Sequence, residues 1–323
     1  MNLEQIFHLA VKNHKNKDFD LAIKFYKEVL EKQPNHTRAY FNLGILYNEK
    51  GDLEKSKNFY QKLINIEPNN LEAYLNLAIL YKNLKDFKNS IFCYEKIIQI
   101  NPSYIQAYNN LGKLLVEELA EYEKAIDCYK KAIDISPENV DASYNTAVVF
   151  QIKKDYKNSI YYYEKVIKIK PNYCEAINNL GIVYIELKDY KKAINNFNKI
   201  LNLEPNFSQI NYNIGLTYKL AGQPKKAIEY LKKEKNNISN LEILKCYYLL
   251  NDMDEYEKLL KQISVDNPCD REIANLTVYV SGKMKRKNIY PFCIDPFKFL
   301  KIQNLKEEIK LIDKFASDLL IRL

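Results

Sequence analysis

The chemical group that recurs most regularly in this chain is the side-chain amide. Asn42, Asn76, Asn110, Asn145, Asn179 and Asn213 follow one another at 34 residues, with one step of 35. An amide offers both a donor and an acceptor, so a spaced column of them can pair with the main chain of an extended peptide and ignore its side chains. Three residues after the amides stand Ile45, Ile79, Val148, Ile182 and Leu216, and Phe41, Tyr144 and Tyr212 stand just before three of them. This is the chemistry of peptide binding. Bond-breaking chemistry has no comparable pattern. His8, His14 and His36 are the only histidines and form no H-E-x-x-H or H-x-D motif. Cys93, Cys128, Cys174, Cys246, Cys269 and Cys293 are scattered without a C-x-x-C pair, which leaves zinc and redox sites unsupported. No G-x-G-x-x-G or Walker loop is present to cradle a phosphate. Carboxylate pairs such as Glu117-Glu118 and Glu307-Glu308 lie on repetitive, solvated helix surfaces. The expectation is a chain that is not an enzyme and needs no cofactor or metal.

The elements that position the amides can be read from the same period. Pro34, Pro68, Pro102, Pro137, Pro171 and Pro205 mark its ends, and the step of 35 falls where Glu118-Leu119-Ala120-Glu121 adds a residue. Between prolines, Tyr40, Leu43, Gly44 and Tyr47 make one helical stripe, and Ser56, Tyr60 and Leu63 make a facing one. The next unit repeats this with Tyr74, Leu77, Ala78, Tyr81 and then Ser90, Tyr94, Ile97. Gly44, Ala78, Gly112, Ala147, Gly181 and Gly215 recur where two helices must come close, met by Ala or Ser. A unit this small cannot bury its apolar face alone and must stack on its neighbours.

These residues resemble the tetratricopeptide repeat, whose 34-residue pattern combines a large apolar residue, Leu-Gly, Tyr, Ala, an aromatic and Pro. Seven units match over about residues 3–238, and a shortened eighth near 239–268 keeps the phase through Tyr247, Leu260 and Pro268. The resemblance implies an all-α superhelical solenoid of antiparallel helix pairs. The amide column is similar to the ladder on the inner surface of the tetratricopeptide region of O-GlcNAc transferases, a likeness confined to those six positions.

At 100° per residue, the first-helix face that does not pack carries Arg38, Phe41, Asn42, Ile45, Asn48 and Glu49, and in the seventh unit Gln209, Tyr212, Asn213, Leu216, Lys219 and Leu220. These should line a concave wall. Four basic residues against six acidic ones make that wall slightly acidic inside a chain of net charge +8, the wrong sign for a phosphate backbone. Lys62, Lys96, Lys131, Lys165, Lys199 and Lys233 recur on the second helix as a solvated outer face, so no nucleic acid partner is expected. Asp18, Asp52, Asp86, Asp155 and Asp189 should cap the second helices, with Glu121 taking that place in the fourth unit. Asn35, Asn69, Ser103, Asn172 and Asn206, each following a proline, should cap the first helices.

Neither a signal peptide nor a membrane-spanning stretch is read in the sequence, which places the protein in the cytoplasm with no membrane partner. The domain reading is a tandem array over 1–268, a capping helix and basic linker over 269–288, and a Pro-containing segment with a final amphipathic helix over 289–323. The joint after the array is similar to one in some bacterial proteins that carry an oxygenase domain beyond their repeats, but no H-x-D follows it here. The function expected is an adaptor or scaffold binding an extended protein segment in its groove. The alternative is a substrate-presenting accessory region for a glycosyltransferase or oxygenase carried on another chain.

Overall fold

The computed structural model describes residues 1–234, 236–266 and 271–284. Among these, seventeen α-helices and no strand are present, so the fold is all-α. They fall into two compact units. The first, Met1–Ile169, contains α1 (Leu3–Lys15), α2 (Phe19–Lys32), α3 (Thr37–Glu49), α4 (Leu53–Ile66), α5 (Leu71–Asn83), α6 (Phe87–Ile100), α7 (Ile105–Glu117), α8 (Tyr122–Ile135), α9 (Val140–Ile152) and α10 (Tyr156–Ile169). The second begins at Lys170 and contains α11 (Cys174–Glu186), α12 (Tyr190–Leu203), α13 (Ile210–Leu220), α14 (Pro224–Leu231), α15 (Asn237–Leu249), α16 (Met253–Asp266) and α17 (Arg271–Met284). Within each unit a first helix packs on the second helix that follows it, and each pair stacks on the next, which is the solenoid arrangement. The terminal helix expected in 289–323, the basic run Lys285-Arg286-Lys287, Pro268, Cys269 and Cys293 lie outside the described residues.

One contact recurs inside the pairs. Tyr60 presses its ring on Gly44, Tyr129 on Gly112 and Phe197 on Gly181, so closely that a methyl on the glycine would come within 2.6, 2.6 and 2.5 Å of the ring. Tyr26, Tyr60, Tyr129, Tyr163 and Phe197 are among the largest fully buried side chains. Each contributes roughly 1.5–3 kcal/mol through burial of its apolar surface. The residue one turn earlier on the second helix must also be small. Where it is serine, its hydroxyl donates to the carbonyl of the small first-helix residue: Ser56 to Gly44 at 2.6 Å, Ser90 to Ala78 at 2.8 Å and Ser159 to Ala147 at 3.0 Å. Buried hydroxyls are thereby satisfied without widening the gap.

The second helices begin as expected. The carboxylates of Asp18, Asp52, Asp86, Asp155 and Asp189 accept from the backbone N–H three residues on. Ahead of them a residue in the left-handed region reverses the chain, namely Lys17, Gly51, Lys85, Ala120, Lys154, Lys188 and Gly222 in the first seven pairs. Glu121 is different. In a link of four residues rather than three, its longer side chain makes no capping bond and instead meets Lys124 Nζ at 2.6 Å.

The expected caps of the first helices are corrected, by one residue at Asn35, Asn69, Ser103 and Asn172 and by three at Asn206, where Gln209 precedes α13 without a side-chain bond. His36, Asn70 and Asn139 accept from the helix N–H groups, while Tyr104 and Tyr173 hold the position without a side-chain bond. The residues directly after proline are used otherwise. In each link the N–H two residues past the proline donates to the carbonyl just before it, as in His36 to Gln33 at 3.1 Å and Asn70 to Glu67 at 3.1 Å. Asn35 and Asn69 are therefore the third residues of β-turns with proline second, a place that suits them equally well.

The shortening of the array is also relocated. α15 and α16 have 13 and 14 residues, whereas α14 has only 8. The missing residues belong to the second helix of the seventh pair. After Leu231 the run Lys232-Lys233-Glu234 supplies no apolar side chain to continue the buried stripe, and α14 ends. Cys93, Cys174 and Cys246 are buried and Cys128 half-buried. Burial pushes the thiols of Cys93 and Cys246 up to about 12 and that of Cys128 up to about 11, which suits packing rather than reactivity.

The ring-on-glycine contact makes a specific demand. Gly112→Ala should lower stability by about 1–3 kcal/mol, because Tyr129 must move to admit a methyl group. Gly112→Ala combined with Tyr129→Leu should recover part of the loss. Thermal melting of the single and double variants tests this, and an unaltered single variant would rule out the packing described.

Candidate functional site

The packing face of a first helix is committed to the ring contact, or on α13 to the contact of Gly215 with Leu231, so the other face presents the amide column. Asn42 (α3), Asn76 (α5), Asn110 (α7) and Asn145 (α9) lie in the first unit, and Asn179 (α11) and Asn213 (α13) in the second, all half-buried. The apolar companions are similar. Ile45, Tyr144, Val148, Ile182, Tyr212 and Leu216 are half-buried, and Ile79 is 42 % exposed.

Side chains on this face reach from one pair to the next. In the first unit His14 Nε2 lies 3.3 Å from Glu49 and Lys82 Nζ 2.9 Å from Glu117, each spanning 35 residues; Lys113 shares Glu117 at 3.6 Å. In the second unit Asn213 Nδ2 donates to Asn178 Oδ1 at 2.9 Å across the same interval.

The amides are not equivalent. Asn42 is hydrogen-bonded to the Tyr26 hydroxyl, and Asn76 Nδ2 donates back to the Glu72 carbonyl at 2.9 Å. Asn213 is joined to Asn178, whose own amide approaches Asn179 Oδ1 at 3.5 Å. Among the described residues, Asn110 and Asn145 make no such bond, and the neighbouring Asn109 Oδ1 is a buried acceptor with no partner in the chain. An unfilled acceptor beside two unspent amides is a local demand for donors and acceptors from outside.

Two participants are not apparent from the repeat pattern. The hydroxyls of buried core tyrosines reach this face from below: Tyr26 meets Asn42 and approaches His14 Nδ1 at 3.5 Å, and Tyr163 donates to Gln151 at 2.7 Å. Burial, followed by the charges of Glu49 and Glu117, raises the Tyr60 and Tyr129 phenols well above their ordinary value. The second participant is Glu242. Once the seventh pair's deletion is allowed for, it occupies on α15 the place that asparagine holds earlier. It is paired with Lys219 and, at 2.8 Å, with Lys245. Lys219, expected on the open wall, is therefore 4 % exposed, and Tyr212 packs against the cluster formed by α14 to α17. Burial opposes ionisation of Glu242, but the two lysines outweigh it and hold the carboxyl below the usual carboxylate range.

Models of the tetratricopeptide repeat match residues 14–78, 71–104, 93–127, 140–173, 174–207 and 208–233, and a model of the TPR repeat matches 118–153. Together they run without a gap from residue 14 to 233. The chain belongs to the tetratricopeptide repeat family. A tetratricopeptide repeat protein from Parabacteroides merdae is similar at 17% identity with a TM-score of 0.54, covering 75% of this chain and 97% of its own. MamA from Desulfovibrio magneticus shares 19% identity, covering 53% of this chain and 97% of its own with a TM-score of 0.48. YrrB, described as a TPR protein with an unusual peptide-binding site, shares 18% identity over 58% of this chain and 96% of its own, with a TM-score of 0.48. No curated protein sequence matches the chain. Among the described residues, no helix is long and apolar enough to cross a membrane.

The buried cluster has a pH signature. Because the folded Glu242 carboxyl titrates below its unfolded value, its contribution is fully present above the ordinary carboxylate pKa and is lost as pH falls through the lowered one. Glu242→Gln should cost about 3 kcal/mol at pH 7, where it leaves buried ammonium groups without a counter-charge. The gap in melting temperature from the parent should narrow below about pH 4. Equal melting at pH 7 would contradict the pairing.

Proposed function

We propose that this tetratricopeptide repeat protein is an interaction scaffold that holds an extended segment of a partner protein along its first-helix face. Family membership supports the scaffold role, and the family and fold are typically non-catalytic. The observation that carries the finer reading is the group on α7 and α9, where Asn110 and Asn145 have unspent amides and Asn109 Oδ1 is unpartnered. Val148, Tyr144 and, on α5, Ile79 supply apolar surface on the same face. A peptide main chain offers the matching alternation of donors and acceptors, with apolar side chains for the strip beside it. Asn42 and Asn76, on the same unit, contribute through residual hydrogen-bonding capacity, and Asn179 and Asn213 offer the same chemistry on the second unit. The compartment of this proposal is the cytoplasm.

Peptides selected from a random library on the full chain provide the probe. Asn110→Ala together with Asn145→Ala should leave far-ultraviolet circular dichroism unchanged and weaken the selected peptides at least tenfold, about 1.4 kcal/mol, in line with two lost hydrogen bonds. Undiminished affinity in titration calorimetry would sink the amide-binding proposal.

A further inference from the structure

A carboxylate begins nearly every second helix, and the residue three positions later commonly answers it. Lys55 meets Asp52 at 2.6 Å, Lys124 meets Glu121 at 2.6 Å and Lys192 meets Asp189 at 3.2 Å, while Asn89 and Asn158 donate to Asp86 and Asp155 at 2.7 Å each. The second unit breaks this rule at α14. Gln223 stands where the acid belongs, with Pro224 supplying a helix start that misses no N–H. Lys226, the counterpart of Lys55, Lys124 and Lys192, is left without its carboxylate.

The vacancy opens into a cleft of about 370 Å³ between α12 and α13–α14, lined by Tyr190, Lys191, Asn195, Tyr218, Gln223 and Lys226 among others, and by no acidic residue. Among the described residues neither Lys191 nor Lys226 makes an ion pair. Lys226 Nζ lies 5.4 Å from the centre of the Tyr218 ring, which stacks on Tyr230 at 5.6 Å, and Lys233 lies over Tyr230 at 4.5 Å. Near the cleft in sequence stand Lys191, Lys192, Lys225, Lys226, Lys232 and Lys233 against Asp189, Glu229 and Glu234; Asp189 acts on Lys192 and more weakly on Lys191, and Lys232 acts on Glu255.

We propose that this cleft is a second docking site, which takes the carboxylate side chains of an acidic segment in a partner protein. An incoming Asp or Glu supplies to Lys226 and Lys191 the charge that Asp52, Glu121 and Asp189 supply internally to their own lysines, and the rings of Tyr190 and Tyr218 receive its methylene groups. This surface lies on different helices from the amides of Asn110 and Asn145 and does not depend on them.

The test is fluorescence anisotropy of labelled octaglutamate, with octaglutamine as control, on the full chain at low and moderate salt. Octaglutamate should bind and octaglutamine should not. Gln223→Asp, which restores the internal carboxylate, should weaken octaglutamate at least fivefold, whereas Gln223→Asn should leave it within twofold. Lys226→Gln should weaken it at least fivefold, and this variant decides the matter if Gln223→Asp melts early. Asn110→Ala with Asn145→Ala should have no effect, so failure here is separable from failure of the first-helix site. The proposal is overturned if octaglutamate does not bind, if Gln223→Asp and Lys226→Gln bind it as the parent does, or if polyuridylate binds more tightly than octaglutamate.

Discussion

The contact on which the structure depends is an aromatic ring laid against a residue with little or no side chain. Tyr60 on Gly44, Tyr129 on Gly112 and Phe197 on Gly181 set how close the two helices of a pair can come. That separation determines what the neighbouring turns can hold: an alanine, or a serine whose hydroxyl finds the carbonyl beneath it. It also consumes one whole face of each first helix. The opposite face is left half-buried, and the amides considered for peptide binding stand on it.

Much of this could be read from the sequence because it repeats. A stripe of Leu43, Gly44 and Tyr47 facing Ser56, Tyr60 and Leu63 is ambiguous once and decisive when it recurs in phase. The aspartate caps were equally readable, since a short carboxylate before an apolar turn has few other uses. What escaped was of two kinds. Asn35 and Asn69 fit a turn and a cap about equally by residue type, and only the hydrogen bond closing the Pro turn decides between them. Lys219 and Glu242 escaped because the deletion in α14 changes which residues meet; a position-by-position projection assumes that every pair is the same length.

The candidate amides separate for a related reason. Periodicity makes Asn42 and Asn110 alike, yet one is tied to the phenol of the preceding pair and the other, among the described residues, makes no side-chain hydrogen bond. Tyr94 stands one pair before Asn110 as Tyr26 stands one pair before Asn42, so the same register gives a bond in one case and not in the other. A repeated residue is therefore a repeated opportunity, and whether it remains available is settled by its immediate neighbours. Gln223 makes the same point from the other side, because a single departure from a column changes the charge of the space around it.

The buried rings also give the molecule an optical character. The chain has 27 tyrosines and no tryptophan, so its near-ultraviolet absorption and emission come chiefly from phenols, several of them sealed inside the helix pairs. Burial pushes Tyr26 and Tyr94 up to about 12 and raises Tyr60 and Tyr129 as well. Alkali that ionises surface phenols leaves these neutral until their helices part, and their ionisation then draws the chain toward the open state. Phenolate absorbance during a base titration thus records the opening of helix pairs with chromophores the fold already contains.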